Sequence, residues 1–291
     1  MNIKVGVVGL GNMGTAVSSR LAANGVKVSG WTRSGVDADW AKQQGVIGHD
    51  TLGSLVAECD VILLSLFDDQ AVSSVLDQLL RLDLEGRLIV DTSTVNPNVL
   101  TGCAERFAQA RASVLDAPIS GWPAMVAQGK AGIFIGGDKN DVGQFLPLAK
   151  LLSNRVFHIG ALGQGLAAKI VNNMMLSGYW ECLREALAVG QSRGLSGETM
   201  LEVLLGGPAA NGVLAGKAKI ILGADAPPSF TVAGLAKDLA MFKDVATQGG
   251  IDTPAISAAL DSFNQHKAAG HGDADFATMP GAVLKRSKDV L

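Results

Sequence analysis

Along the first half of the chain, apolar residues fall into short runs at 3–8, 26–30, 46–48, 60–65, 87–91, 112–116, 131–136 and 155–159. Runs of this length with little polar alternation predict strands buried on both faces. Most are separated by amphipathic stretches with helical spacing, and alternating strands and helices predict a doubly wound α/β domain. After Gly160 the pattern changes. From Gly163 to about Arg193 there is no proline and the periodicity is helical, which predicts one helix of roughly 45 Å at 1.5 Å per residue. Further helices are expected near 196–205, 211–222, 230–249 and 253–267, punctuated by Gly206-Gly207-Pro208, by the segment Gly223 to Pro228 and by Gly249-Gly250. The predicted organisation is an α/β domain over 1–162 and an all-helical domain over 163–291, linked by the long helix. No internal repeat interrupts it, and the polar tail Lys285 to Leu291 is expected to fray.

Composition narrows the class. With 291 residues, 48% of them hydrophobic and 18% charged, the chain can bury a large core. A net charge of −3 without a polybasic run argues against a nucleic-acid or membrane-surface partner. Apolar runs such as Val61 to Leu64 are far shorter than a membrane span. The N-terminal residues lack a charged region followed by a long apolar segment, so no signal peptide is expected and a cytoplasmic location is. Cys59, Cys103 and Cys182 form no CxxC pair and His49, His158, His266 and His271 no HExxH motif; free thiols and no metal are expected.

The first strand runs directly into Gly9-Leu10-Gly11-Asn12-Met13-Gly14, and a helical pattern follows. In that order Gly9 permits the tight turn, Gly11 lets the backbone approach a pyrophosphate, and Gly14 lets the helix pack on the strand. The helix N-terminus then offers free amides and a positive dipole end to the phosphates. At the end of the second strand Trp31-Thr32-Arg33-Ser34 carries no carboxylate until Asp37. A cation and two hydroxyls suit the 2′-phosphate of NADP, which is the expected cofactor in preference to NAD, although a solvated loop arginine would look the same.

Lys169, in Gly163-Gln164-Gly165-Leu166-Ala167-Ala168-Lys169-Ile170-Val171-Asn172-Asn173, shares a helix face with Asn173, about 5–6 Å away. Together they could bind and polarise a carbonyl oxygen. A solvated helix surface is the alternative, although Leu166-Ala167-Ala168 before it and Ile170-Val171 after it make a fully exposed lysine less expected. Partial burial would lower the lysine pKa and ease proton exchange near neutrality. Asp116-Ala117-Pro118-Ile119-Ser120-Gly121-Trp122-Pro123 offers a hydroxyl and backbone amides in a turn after a strand, which is either a carboxylate cradle or an ordinary loop. Asp91-Thr92-Ser93-Thr94 follows another strand and should face the same crevice as the glycine turn. Read alone, Lys237-Asp238 is a surface charge pair.

Together, Gly9 to Gly14, Asp91 to Pro97, Asp116 to Gly121, Gly163 to Asn173 and Lys237-Asp238-Leu239 resemble, in order, the signatures of the β-hydroxyacid dehydrogenases, the family of 3-hydroxyisobutyrate dehydrogenase, tartronate semialdehyde reductase and the glyoxylate/succinic semialdehyde reductases. The resemblance implies that Lys169 is the acid/base and that Asn173 orients the reacting oxygen or the substrate. It implies that Ser120 and Gly121 bind the substrate carboxylate and that Thr94 and Lys237 line the cofactor and substrate cleft. Leu66 is expected to touch the cofactor, beside Gly9, Leu10, Gly11, Asn12, Met13, Thr32, Arg33 and Ser34. Homodimers or homotetramers through the helical domain are implied as well.

One position departs from the family. A second glycine commonly follows Ser-Gly, and here Trp122 stands there, which puts the substrate in doubt whether its ring lines the pocket or packs elsewhere. The expected function is an NADP-dependent oxidoreductase interconverting a short β-hydroxy acid and its semialdehyde or keto form, acting on a small carboxylate-bearing substrate. An imine reductase is the alternative, since those enzymes resemble this chain around Trp31-Thr32-Arg33-Ser34 but usually lack a lysine at the position of Lys169. A non-catalytic NADP-binding protein would be expected to lose that lysine.

Overall fold

A computed structural model describes residues 3–284; the tail from Lys285, expected to fray, lies outside the described residues. The chain divides into two compact units, Met1–Val171 and Asn172–Leu291. The sequence pattern changes at 162/163, where the long helix begins, whereas the division into compact units falls within that helix.

The first unit opens β1 (Lys4–Val8), α1 (Asn12–Ala23), β2 (Lys27–Trp31), α2 (Ala38–Gln44), β3 (Val46–Gly48), α3 (Leu52–Glu58), β4 (Val61–Leu64), α4 (Asp69–Leu79) and β5 (Leu88–Asp91). It continues through α5 (Asn98–Thr101), α6 (Ala104–Gln109), β6 (Ser113–Asp116), β7 (Ile119–Ser120), α7 (Pro123–Ala127), β8 (Gly132–Gly136), α8 (Lys139–Leu152) and β9 (Arg155–Gly160). The strand order is β3-β2-β1-β4-β5-β6-β8-β7, with β9 paired to β8. The first six strands are mutually parallel, whereas β8 runs antiparallel to β6 and β7. The eight apolar runs are the eight longer strands. The ninth, β7, is two residues long and lies in the stretch read from the sequence as a turn; it forms because Ile119 and Ser120 pair with Ile133 and Gly132 of β8.

Side chains on the two sheet faces feed two separate cores. One holds Val5, Val7, Leu63 and Val90 against Val17 and Leu21 of α1 and Phe145 and Leu148 of α8. The other holds Val8, Ile62, Leu64 and Ile89 against Leu55, Leu76 and Phe107. This two-sided burial is why β1, β4 and β5 read as near-continuous apolar runs, whereas β3 and β9 are largely exposed despite their apolar runs.

The long helix is α9 (Gln164–Ser192), 29 residues without a break. The second unit adds α10 (Gly197–Gly206), α11 (Gly212–Ile221), α12 (Val232–Gln248), α13 (Pro254–His266), a π-helical turn at Lys267–His271 and α14 (Thr278–Gly281). The sequence pattern anticipates α9 to α13 but not the last two elements. Within this unit a buried Lys217–Asp275 ion pair of 2.6 Å ties α11 to the chain before α14. Burial would push the Asp275 carboxyl up, but the Lys217 ammonium and the Ala277 and Ser229 amides hold it below its usual range. No helix among the described residues is long and apolar enough to cross a membrane.

Candidate active site

The parallel sheet delivers the C-terminal ends of β1, β2, β4, β5 and β6 to one edge, where loops can gather a ligand. Gly9 leaves β1 with φ +93°, and a Cβ there would lie 2.4 Å from the Ser65 carbonyl oxygen. At Gly14 a Cβ would lie 1.9 Å from the Gly9 carbonyl oxygen, so the turn closes only on glycine. At Gly11, by contrast, nothing of the protein lies within 4 Å, and the backbone is open to an approaching group.

Helix termini sharpen this. Among the helices of eight or more residues in the first unit, α4 and α8 are capped by the Asp68 and Asp138 side chains. The N-terminus of α9 receives the Asp116 carboxylate. Helix α1 follows Gly11 with no side-chain cap and no acidic residue in its first turn, leaving its positive end available to an anion. Beside it lies a cavity of about 430 Å³ lined by Leu10, Gly11, Thr15, Thr32, Ser34, Gly35, Val36, Asp37 and Trp40. Arg33 is exposed in the same loop. Asp37 is committed to the fold, accepting from the Trp40 amide at 2.7 Å to cap α2. A dinucleotide fits this set: small residues where phosphates approach, an uncapped helix, and a cavity of mixed polar and apolar lining beside the β2 end.

Asp91 to Asn96 brace the loop after β4. Thr92 Oγ1 donates to the Leu64 carbonyl, the Leu66 amide donates to Ser93 Oγ at 2.9 Å, and the Asn96 amide donates to Asp69 Oδ1 at 3.1 Å. Leu66 is thereby fixed beside Gly9, with Thr94 half-buried next to Ser93. Asp91 is fully buried; Oδ1 accepts from the Ser93 amide at 3.0 Å and Oδ2 has no protein partner. Burial, abetted by the neighbouring Asp116 and Asp69 charges, pushes its carboxyl up to about 6 against the lowering effect of the Ser93 bonds.

That shift has a sign in stability. Between the ordinary value of 3.8 and the folded value of about 6, the native state binds more protons than the unfolded chain. Stability from this group is complete below the lower value and is lost as pH rises through the upper one, by on the order of 3 kcal/mol. Asp91→Asn is expected to remove this slope and to be more stable than the parent at pH 8. Urea denaturation at pH 5 and pH 8 checks this, and equal pH dependence in both proteins would rule Asp91 out as the source.

Lys169 is 7% exposed on α9, and its Nζ donates to the Ile119 carbonyl at 2.9 Å. That acceptor is in β7, immediately before Ser120, so the ammonium and the hydroxyl-bearing strand are brought together. Gly121 then turns with φ +149°, and half-buried Trp122 and Pro123 begin the short α7. The lysine is thus not a solvated surface residue. Asn173, one turn further along α9, is buried, and its Oδ1 accepts from Asn172 Nδ2 at 3.0 Å. Within the second unit, Lys237 of α12 pairs with buried Asp238 at 2.7 Å. Pattern reading missed the roles of Asp116 and Asp91. Their partners lie up to 50 positions away or are unmatched, so no local spacing reveals them. Among the described residues no group of His, Cys, Asp and Glu is placed to hold a metal ion.

The family model described as the NAD binding domain of 6-phosphogluconate dehydrogenase matches residues 4–160. The one described as NAD-binding of NADP-dependent 3-hydroxyisobutyrate dehydrogenase matches residues 163–283. The chain belongs to the β-hydroxyacid dehydrogenase family. As a β-hydroxyacid dehydrogenase it carries out oxidoreduction of hydroxy acids with a nicotinamide nucleotide. It is 28% identical to glyoxylate/succinic semialdehyde reductase 1 of Arabidopsis thaliana, across 97% of this chain and 98% of that protein. The structure of Mycobacterium tuberculosis 3-hydroxyisobutyrate dehydrogenase with L-serine superposes with a TM-score of 0.86 at 26% identity, across 97% and 99% of the two chains. An imine reductase from Myxococcus stipitatus with NADP+ shares the fold, with a TM-score of 0.62 at 20% identity and coverage of 95% and 98%.

Proposed function

We propose that this β-hydroxyacid dehydrogenase uses NADPH to reduce a short aldehyde or keto acid to the corresponding β-hydroxy acid, with Lys169 as the acid/base. The observation that carries the reading is the buried Lys169 ammonium held at 2.9 Å from the Ile119 carbonyl, next to the Ser120 hydroxyl. A bound nicotinamide supplies the hydride. The chain does the rest: Ser120 and the Gly121 amide hold the substrate carboxylate, and Lys169 Nζ gives a proton to the carbonyl oxygen as negative charge develops there. Asn173 orients the same oxygen. Gly9, Leu10, Gly11, Asn12 and Met13 take the pyrophosphate, Leu66 and Thr94 contact the cofactor, and Lys237 contacts cofactor and substrate. Residues 1–162 form the cofactor domain and 163–291 the substrate and oligomerisation domain of a cytoplasmic dimer or tetramer.

Turnover of NADPH, followed by absorbance with a panel of small carboxylate-bearing semialdehydes and cyclic imines, tests this. Aldehyde reduction is the expected result; turnover of imines alone, or binding without turnover, overturns it. The imine alternative draws support from the likeness of Trp31-Thr32-Arg33-Ser34 to those enzymes and from Trp122, whereas Lys169 weighs against it. For cofactor choice, Arg33→Ala is expected to weaken NADPH at least about tenfold, the loss of one charge-assisted phosphate contact. NADH binding, measured by fluorescence titration, should change little. Equal loss for both cofactors would mean that the loop itself is disrupted.

A further inference from the structure

Three bonds at two positions join the start of α9 to the stretch from Asp116 to Ile119. At one position Asp116, the last residue of β6, accepts from the Gly163 amide with Oδ1 at 2.7 Å and from the Leu166 amide with Oδ2 at 2.6 Å. At the other, three residues along each segment, Lys169 Nζ donates to the Ile119 carbonyl. Asp116 is fully buried, and its carboxylate has no room to move. A Cβ at Gly136 would lie 2.3 Å from Oδ1, and one at Gly165 would lie 2.7 Å from Oδ2. Both oxygens are occupied by main-chain amides of the helix start, and burial pushes the carboxyl up while those amides pull it down.

We propose that Asp116 is a positioning residue that sets the axial placement of α9, and with it the position of Lys169 relative to Ser120. This rests on the assignment of Lys169 as the acid/base. Ser120 is held independently, by the pairing of β7 with β8. Loosening Asp116 therefore releases the helix start and leaves the anchor in place, and a displacement of about 1 Å at a reacting group costs on the order of 100-fold in rate. The sequence offers no hint of this link, because the carboxylate and the helix it caps are 47 residues apart at Gly163.

The test is Asp116→Asn in the full chain. The amide keeps one acceptor but turns an NH2 toward a helix N–H, so one of the two bonds is lost. The expected result is a kcat lowered about 10- to 100-fold, with the KM for the carboxylate substrate and the Kd for NADPH within about threefold of the parent. Because the effect acts through Lys169, adding Asp116→Asn to Lys169→Ala should cost nothing further. A folded Asp116→Asn with unchanged kcat, a loss confined to KM, or full additivity with Lys169→Ala each overturns the proposal. Asp116→Ser is the second variant, and failure of both to fold makes Asp116 a folding determinant only, which also overturns it. If Lys169→Ala itself turns over normally, the acid/base assignment fails instead, and the two failures are told apart.

Discussion

Lys169→Ala is expected to lower kcat by about 100- to 10,000-fold, the range of a positioned general acid, while the Kd for NADPH stays within a factor of about two. Nζ is buried and hydrogen-bonded to the Ile119 carbonyl beside the proposed carboxylate anchor, whereas the proposed phosphate site is the glycine turn between β1 and α1. On the proposed mechanism its removal deprives the developing alkoxide of its proton source and leaves the proposed pyrophosphate site unchanged. The truncation leaves a small void and an unpaired carbonyl, a cost of about 1–3 kcal/mol in stability, so thermal melts accompany the kinetics. Single-turnover kinetics at saturating cofactor separates the chemical step from release. Near-normal turnover in a folded variant would remove Lys169 from the mechanism.

Gly14→Ala is expected to raise the Kd for NADPH and NADH together by at least about 100-fold, close to 3 kcal/mol, and to lower the melting temperature. Its Cβ would enter the space of the Gly9 carbonyl, 1.9 Å away, with Ser65 Cβ at 3.3 Å. The turn must open, and overpacking of this kind costs about 1–3 kcal/mol before any ligand is considered. Gly11→Ala is the informative comparison. Beyond its own chain neighbours nothing lies within 4 Å of its added carbon, so the fold should keep its stability while the cofactor alone is lost. Calorimetric melts with isothermal titration of both cofactors distinguish the two glycines, and a Gly14→Ala protein that binds normally would show that the turn relaxes cheaply.

Much of the fold was legible because its energetics is local or periodic. Buried parallel strands write themselves as apolar runs, and the 29 residues of α9 as proline-free helical periodicity. Strand β7 escaped because two residues carry no period; it exists only because β8 supplies its partners. The glycine turn was legible because steric exclusion at Gly9 and Gly14 is a property of residue type. The burial of Lys169 was hinted at by its apolar neighbours Leu166-Ala167-Ala168 and Ile170-Val171, of which Leu166 and Ile170 are buried and Val171 is exposed. Its bond to Ile119, the Asp116 cap and the unmatched oxygen of Asp91 depend on contacts across the sheet edge, which no spacing encodes.

The acceptor that holds Lys169 is a main-chain carbonyl, and a carbonyl survives every substitution at its own residue. Side chains from position 119 to 123 can therefore be exchanged without cutting the tether of the ammonium. Trp122, the position at which the sequence departs from the pattern it resembles, lies within this stretch. On the proposed assignment, the stretch facing the substrate is free to drift under selection while the proposed proton donor keeps its tether, so specificity can change without rebuilding the chemistry.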